Sequence, residues 1–132
     1  MQNKEEEAVG IEGARWFLHN VAKLFEPLMV KNKLYSYEYL RSLFDLEADA
    51  NDLTDAQIKE HPMVTVGNPD EVSRKLETFA EAGLDQVIFF KQAGRIPHRN
   101  IMSSIDRIGS HIIPHFKEFR VNVGEETRLS AK

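Results

Sequence analysis

Between residues 63 and 119 the spacing of apolar positions switches from strand-like to helix-like and back, with a punctuating residue at each junction. A short apolar run at 63–66 stops at Gly67 and Asn68. There Asn68 stands as N-cap, Pro69 as first helical residue and Glu71 as the third, the signature of a helix opened by a capping box. Inside this helix Val72, Leu76, Phe79 and Ala80 share one face while Arg74, Lys75, Glu77 and Glu81 point away, and Gly83 supplies the C-cap. The run Val87-Ile88-Phe89-Phe90 is apolar on both faces, as in a strand covered on both sides of a parallel sheet. Parallel pairing of 63–66 with 87–90 requires a crossover of a dozen or more residues, and the intervening helix has that length. A terminal helix opens near Pro97 and His98 and carries Ile101, Ile105, Ile108 and Ile112 inward, with Met102 and Ile113 flanking. Gly109 either allows a close approach or weakens this helix, and Pro114 interrupts it, so a bend is expected near Ser110.

Upstream, the acidic run 4–7 leads into a helix whose apolar set is Ala14, Phe17, Leu18, Val21, Leu24, Phe25 and Leu28. Pro27 is expected to end or kink it. Trp16, beside that face, has two readings, a packing residue or an aromatic wall for a substrate. A second helix is expected over 36–44, burying Tyr37, Leu40, Leu43 and Phe44, followed by a polar loop. Tyr35, Tyr37 and Tyr39 alternate at a period of two, so a helix spreads them over different faces. Thr54 then caps a short helix through Ile58 and Glu60, which His61-Pro62 breaks. The organisation that follows is a helical segment over 1–61, a β/α/β/α segment over 62–120 and a flexible tail over 121–132.

Composition narrows the function classes. With 42% hydrophobic and 29% charged residues the chain is ordinary for a globular domain. A net charge of −4 supplies no broad basic face, so nucleic acid is not expected as a partner. No apolar run approaches a membrane span, and the first residues are polar and acidic, unlike a signal peptide. The sequence has no cysteine, which removes disulfides, thiolate ligands and a thiol nucleophile and suits a cytoplasmic location. His111 and His115 are four apart on a predicted helix. Pro114 distorts the turn that joins them, no Glu follows the first histidine and no third ligand is near, so no metal site is expected.

Three blocks in this order, Val66-Gly67-Asn68-Pro69-Asp70-Glu71-Val72, Ala82-Gly83-Leu84-Asp85-Gln86-Val87 and Gly94-Arg95-Ile96-Pro97-His98, together with Ile112-Ile113-Pro114-His115-Phe116, resemble the C-terminal end of the bacterial luciferase-like flavin-dependent monooxygenases. The segment around Ala14-Arg15-Trp16-Phe17 and residues 35–40 is similar, more loosely, to the helical insertion preceding the seventh strand in some members. The resemblance implies an α/β fold, the last two β/α units of a TIM barrel preceded by a helical segment. A whole barrel takes about 250 residues, and this chain has 132. It therefore implies a C-terminal part that shares an oxidation of an organic substrate by reduced FMN and O2, with a deazaflavin as the alternative cofactor. Most flavin contacts would lie in missing earlier strands, so the isolated chain is expected to be inactive. The other reading is a non-catalytic α/β module that self-associates or completes another chain's barrel, because two strands cannot close and Phe89 and Phe90 would be left uncovered.

In β/α barrels the chemistry sits on loops after the strands. At 67–70 the amide N–H groups of a helix start either hold an anion or are simply capped. At 91–98 the resemblance places the loop over the rim of the flavin or substrate pocket. There Gln92 is a candidate donor to a ring carbonyl or substrate oxygen, Gly94 permits close backbone approach, Arg95 is a candidate partner for an anionic group, and His98 is a candidate acid or base. Their alternatives are structural: Gln92 finishing a strand's hydrogen bonds, Arg95 as a solvated charge, His98 capping a helical turn. Lys91 is the weaker candidate beside them. No nucleophile is needed, because reduced flavin itself reacts with oxygen.

Overall fold

The computed structural model of the chain describes residues 4–32 and 49–119. In chain order these form α1 (Lys4–Asn32), a 3₁₀ turn (Ala50–Asp52), α2 (Asp55–Glu60), α3 (Pro69–Glu81), α4 (His98–Arg107), a π-helical turn (Ile108–Ile112) and α5 (Ile113–Glu118). The helix expected over 36–44, the three tyrosines beside it and the tail over 121–132 lie outside the described residues.

Local chemistry accounts for most element boundaries. Thr54 Oγ1 accepts from the Gln57 N–H at 3.3 Å while Gln57 Oε1 accepts from the Thr54 N–H at 2.8 Å, a capping box that starts α2. The same reciprocal pair starts α3, with Asn68 Oδ1 accepting from the Glu71 N–H at 2.9 Å and Glu71 Oε2 accepting from the Asn68 N–H at 2.8 Å. At the other end of α3, Ala82 is the C-cap and Gly83 follows in the left-handed region with φ 92°. The Leu84 N–H reaches the Phe79 carbonyl at 3.1 Å and the Gly83 N–H the Ala80 carbonyl at 3.0 Å, which satisfies two otherwise orphaned acceptors.

Both internal prolines are accommodated without ending a helix. Pro27 lies within α1, which continues to Asn32, so the expected stop does not occur. A proline deletes a single hydrogen bond, and the buried residues that anchor α1, Ile11 and Leu18, lie well before it. The bend expected near Ser110 is a π-helical turn over Ile108–Ile112. This wider turn makes room for the Pro114 ring, which in a regular α-helix would press on the carbonyl four residues back. Ser110 Oγ donates to the Asp106 carbonyl at 2.8 Å across the same turn. Gly109 has open space where a side chain would stand, so no close approach depends on it.

The expected α/β fold, a partial TIM barrel, is overturned: no strand, sheet or barrel forms among the described residues. Residues 63–66 and 87–90 have strand-like composition but form no ladder with any described residue. A strand is defined by a neighbour that takes up its backbone donors and acceptors, and one short crossover supplies too little support for an isolated pair of strands. Side-chain contacts with α1 take over instead. Val64 joins Ile11, Leu18, Ala50 and Ile58 in the buried core, with Ala14, Phe17, Leu53 and Val66 packed against it. Further along, the Phe90 ring lies 5.3 Å from that of Phe17.

Two glycines on one face of α1 permit this packing. A methyl group on Gly10 would meet Val66 Cγ1 at 3.0 Å, and one on Gly13 would meet Ile96 Cδ1 at 2.4 Å and the Ala93 carbonyl at 3.2 Å. Both irregular segments thus approach the α1 backbone more closely than any other residue would allow. Charged contacts complete the assembly. Arg15 donates to the carbonyls of Ala50 at 2.8 Å and Leu53 at 2.5 Å and to the Asp55 carboxylate at 2.6 Å. Lys59 Nζ stands 2.5 Å from Glu7 and 3.4 Å from Glu71, and the Glu7 carboxylate holds its pKa above the usual lysine value.

Candidate functional site

The expected site residues follow one another along the loop into α4, and each is positioned by what precedes it. Gly94 sits in the left-handed region with φ 59°, where only glycine is unstrained. Any Cβ there would lie 3.1 Å from Trp16 Cγ, so the indole of Trp16 covers this turn. Of the two readings of Trp16, packing is the one with a contact behind it, although half of its surface remains exposed. Pro97 is the N-cap of α4 and offers no side-chain cap, leaving His98 as the exposed first helical residue. Gln92 and Arg95 are also exposed.

A cavity of about 430 Å³ opens beside this loop, within the size range of small-molecule sites. Its walls come from the Glu6–Phe17 stretch of α1, from 62–67, from α3, from 87–91 with Ala93 and Ile96, from α4 and from the π-helical turn. Gln92, Gly94, Arg95 and His98 are not among its lining residues, whereas their neighbours Lys91, Ala93 and Ile96 are. The side-chain alternation of the loop explains this division. Lys91 and Ile96 are half-buried and Ala93 is buried, while Gln92, Arg95 and His98 are exposed. The structure therefore leaves Gln92, Arg95 and His98 exposed and Gly94 under Trp16, outside the cavity lining, and sets Lys91, Ala93 and Ile96 in that lining.

Lys91 is the residue that sequence reasoning undervalued. It lines the cavity with Nζ 5.6 Å from the centroid of the Phe89 ring, a cation–π contact. Burial lowers its pKa from the usual lysine value, with no neighbouring charge contributing. The available signal was its odd-numbered position in the 87–93 alternation, which sets it on the same side as Phe89 and Ala93. The other charges at the cavity are already neutralised, since Arg107 Nη2 stands 2.5 Å from Glu6 Oε2. Asn100 and Ser104 of α4 add polar groups to an otherwise apolar wall.

At the start of α3, the anion-holding reading of 67–70 gives way to capping, because the N–H groups of Asn68 and Glu71 are taken by the reciprocal pair described above. That pairing also lowers the Glu71 pKa, chiefly through the Asn68 N–H and secondarily through Lys59. The two histidines, His111 in the π-helical turn and His115 on α5, take different partners. His115 Nε2 lies 2.7 Å from Glu77 Oε1 and His111 Nδ1 lies 2.8 Å from Ser110 Oγ. Among the described residues no group of three metal-ligating side chains converges. No described helix is long and apolar enough to cross a membrane. No protein-family model matches the chain, and no curated protein or solved structure matches it either.

Proposed function

We propose that the chain acts as part of a luciferase-like flavin-dependent monooxygenase, forming an apolar wall of the site where reduced FMN and O2 oxidise an organic substrate, with a deazaflavin as the alternative cofactor. The observation that carries this reading is convergence: Val66, Gly67, Pro69 and Val72 of the first resembling block, Val87 of the second, Ile96 of the third and Ile112 of the last line one cavity. Independent blocks that meet at one apolar space of this size fit a shared ligand. In this reading the apolar wall excludes water from a reactive flavin intermediate, which is the protein's principal task in such chemistry. Gln92, Arg95 and His98 are exposed and Gly94 lies under Trp16, and they meet flavin or substrate only when a complementary polypeptide covers this loop. The assigned compartment is the cytoplasm.

The test mixes the chain with a candidate complementary portion of such an enzyme and follows O2 uptake that depends on reduced flavin. His98→Ala and Gln92→Ala are expected to lower the uptake rate. Uptake that appears with the partner alone, or is indifferent to both substitutions, overturns the reading. The isolated chain is expected to bind no FMN tightly, and micromolar or better affinity in a titration would contradict that.

A second reading is favoured by a separate observation. Leu84, Val87, Ile88 and Phe90 are exposed large apolar residues within one short segment. A non-catalytic module that associates with another copy or another chain would bury them.

A further inference from the structure

Residues 85–96 form no backbone–backbone hydrogen bond with any other described residue. Residues 85–88 are exposed, and from Ile88 to Ala93 the exposure alternates as it would along a strand. Ile88 is 87% exposed and Phe90 68%, while Phe89 and Lys91 are half-buried. Among the described residues, the segment thus has no neighbour that takes up its main-chain donors and acceptors.

Two charges flank its apolar centre symmetrically, Asp85 three residues before Ile88 and Lys91 three residues after it. Neither has an ion-pair partner among the described residues. We propose that a second copy of this chain docks here, the two 85–91 segments pairing antiparallel about a two-fold axis at Ile88 and closed by two Asp85–Lys91 ion pairs. This rests on the association reading given above and names its partner and register.

Charge selects that arrangement. In an antiparallel pair centred on Ile88, Val87 faces Phe89 of the other copy, Gln86 faces Phe90 and Asp85 faces Lys91, so opposite charges stand directly across from each other. A parallel pair in register would set Asp85 against Asp85 and Lys91 against Lys91, which repels. A slip by one residue in either direction would move Asp85 off Lys91 of the other copy and lose both ion pairs. A two-fold contact of this kind is self-complementary and closes on itself, so it yields a dimer and not an open fibre. Lys91 gains the counter-charge it lacks, and its pKa, lowered by burial in the monomer, returns upward when the partner's carboxylate arrives.

Sedimentation velocity of the full chain over a range of concentrations tests this, using wild type, Asp85→Lys, Lys91→Asp and an equimolar mixture of the two variants. The wild type is expected to dimerise, and each single reversal, which sets like charges at both ends, to weaken the dimer by about tenfold or more. The mixture is expected to recover wild-type affinity as a heterodimer, since both ends then pair opposite charges. Two misfolded variants would not rescue each other, so recovery separates charge pairing from loss of fold. A wild-type monomer at every concentration overturns the self-association arm of that reading and this inference with it. A dimer indifferent to the reversals, or a mixture that fails to recover, overturns the Ile88-centred register alone. Open-ended assembly overturns the closed pair.

Discussion

The irregular backbone at 61–66 and the irregular backbone at 85–96 face the same physical demand, a partner for every polar group, and meet it in opposite ways. At 61–66 the chain supplies its own partners. Lys75 Nζ donates to the carbonyls of Lys59 at 2.9 Å and His61 at 2.6 Å, the Val64 N–H reaches the His61 carbonyl at 3.0 Å, and Val64 is buried in the core. At 85–96 no backbone partner is supplied among the described residues, and although Ala93 is buried and Ile96 lies against the Gly13 backbone, Ile88 and Phe90 remain largely exposed. The contrast teaches that strand-like sequence is neutral about its fate. The α1 glycine face receives part of both segments, but only 61–66 also has a cation on the next helix for its carbonyls, whereas the stretch around Ile88 is left for water or for a second polypeptide.

The sharpest way to break this comparison uses the same residue type on both sides. Ile58 is fully buried, so Ile58→Ala is expected to destabilise the chain by about 2–5 kcal/mol in urea unfolding. A loss below 1 kcal/mol would mean that the α1–α2 core is not the stabilising centre. Arg15→Met should come next, with about 1.5–3 kcal/mol lost, because three acceptors lose a charged donor from a side chain only 12% exposed. Gly13→Ala forces a methyl against Ile96 and is expected to cost about 1–3 kcal/mol. Ile96→Ala in the same chain should return part of that loss, and no recovery would show that the close approach is not what Gly13 provides.

Smaller effects sharpen the same picture. Asn68→Ala removes the reciprocal cap of α3 and should cost about 1 kcal/mol. The Glu71 pKa is lowered in the folded chain, so its contribution is complete above the ordinary value of 4.5 and is lost as pH falls through the folded value. Acid unfolding followed by circular dichroism should therefore show a smaller low-pH loss in Glu71→Gln than in wild type. Ile88→Ala is expected to change unfolding free energy at low protein concentration by no more than about 0.5 kcal/mol. It should instead reduce association, and a large loss of monomer stability would place Ile88 in the core and erase the contrast between the two segments.

Much of the local structure was legible in the residues. The caps at Thr54 and Asn68, the glycine stop after α3 and the break near Ser110 all follow from groups within four residues of one another. The candidate site was less so. Gln92, Gly94, Arg95 and His98 were chosen by residue type and by a resemblance, and the side-chain alternation of the loop turns them away from the cavity that Lys91, Ala93 and Ile96 enter. Gly10 and Gly13 carried no message by themselves, because a glycine pair on a helix acquires meaning only from the segment that approaches it.

What the amino-acid sequence determined alone is where helices begin and end, since caps, prolines and amphipathic faces act over a single turn. Whether the apolar runs at 63–66 and 87–90 would become strands was decided only in three dimensions. A strand's hydrogen bonds belong to its neighbour, and among the described residues α1 offers these runs side chains and glycine hollows but no backbone to pair with.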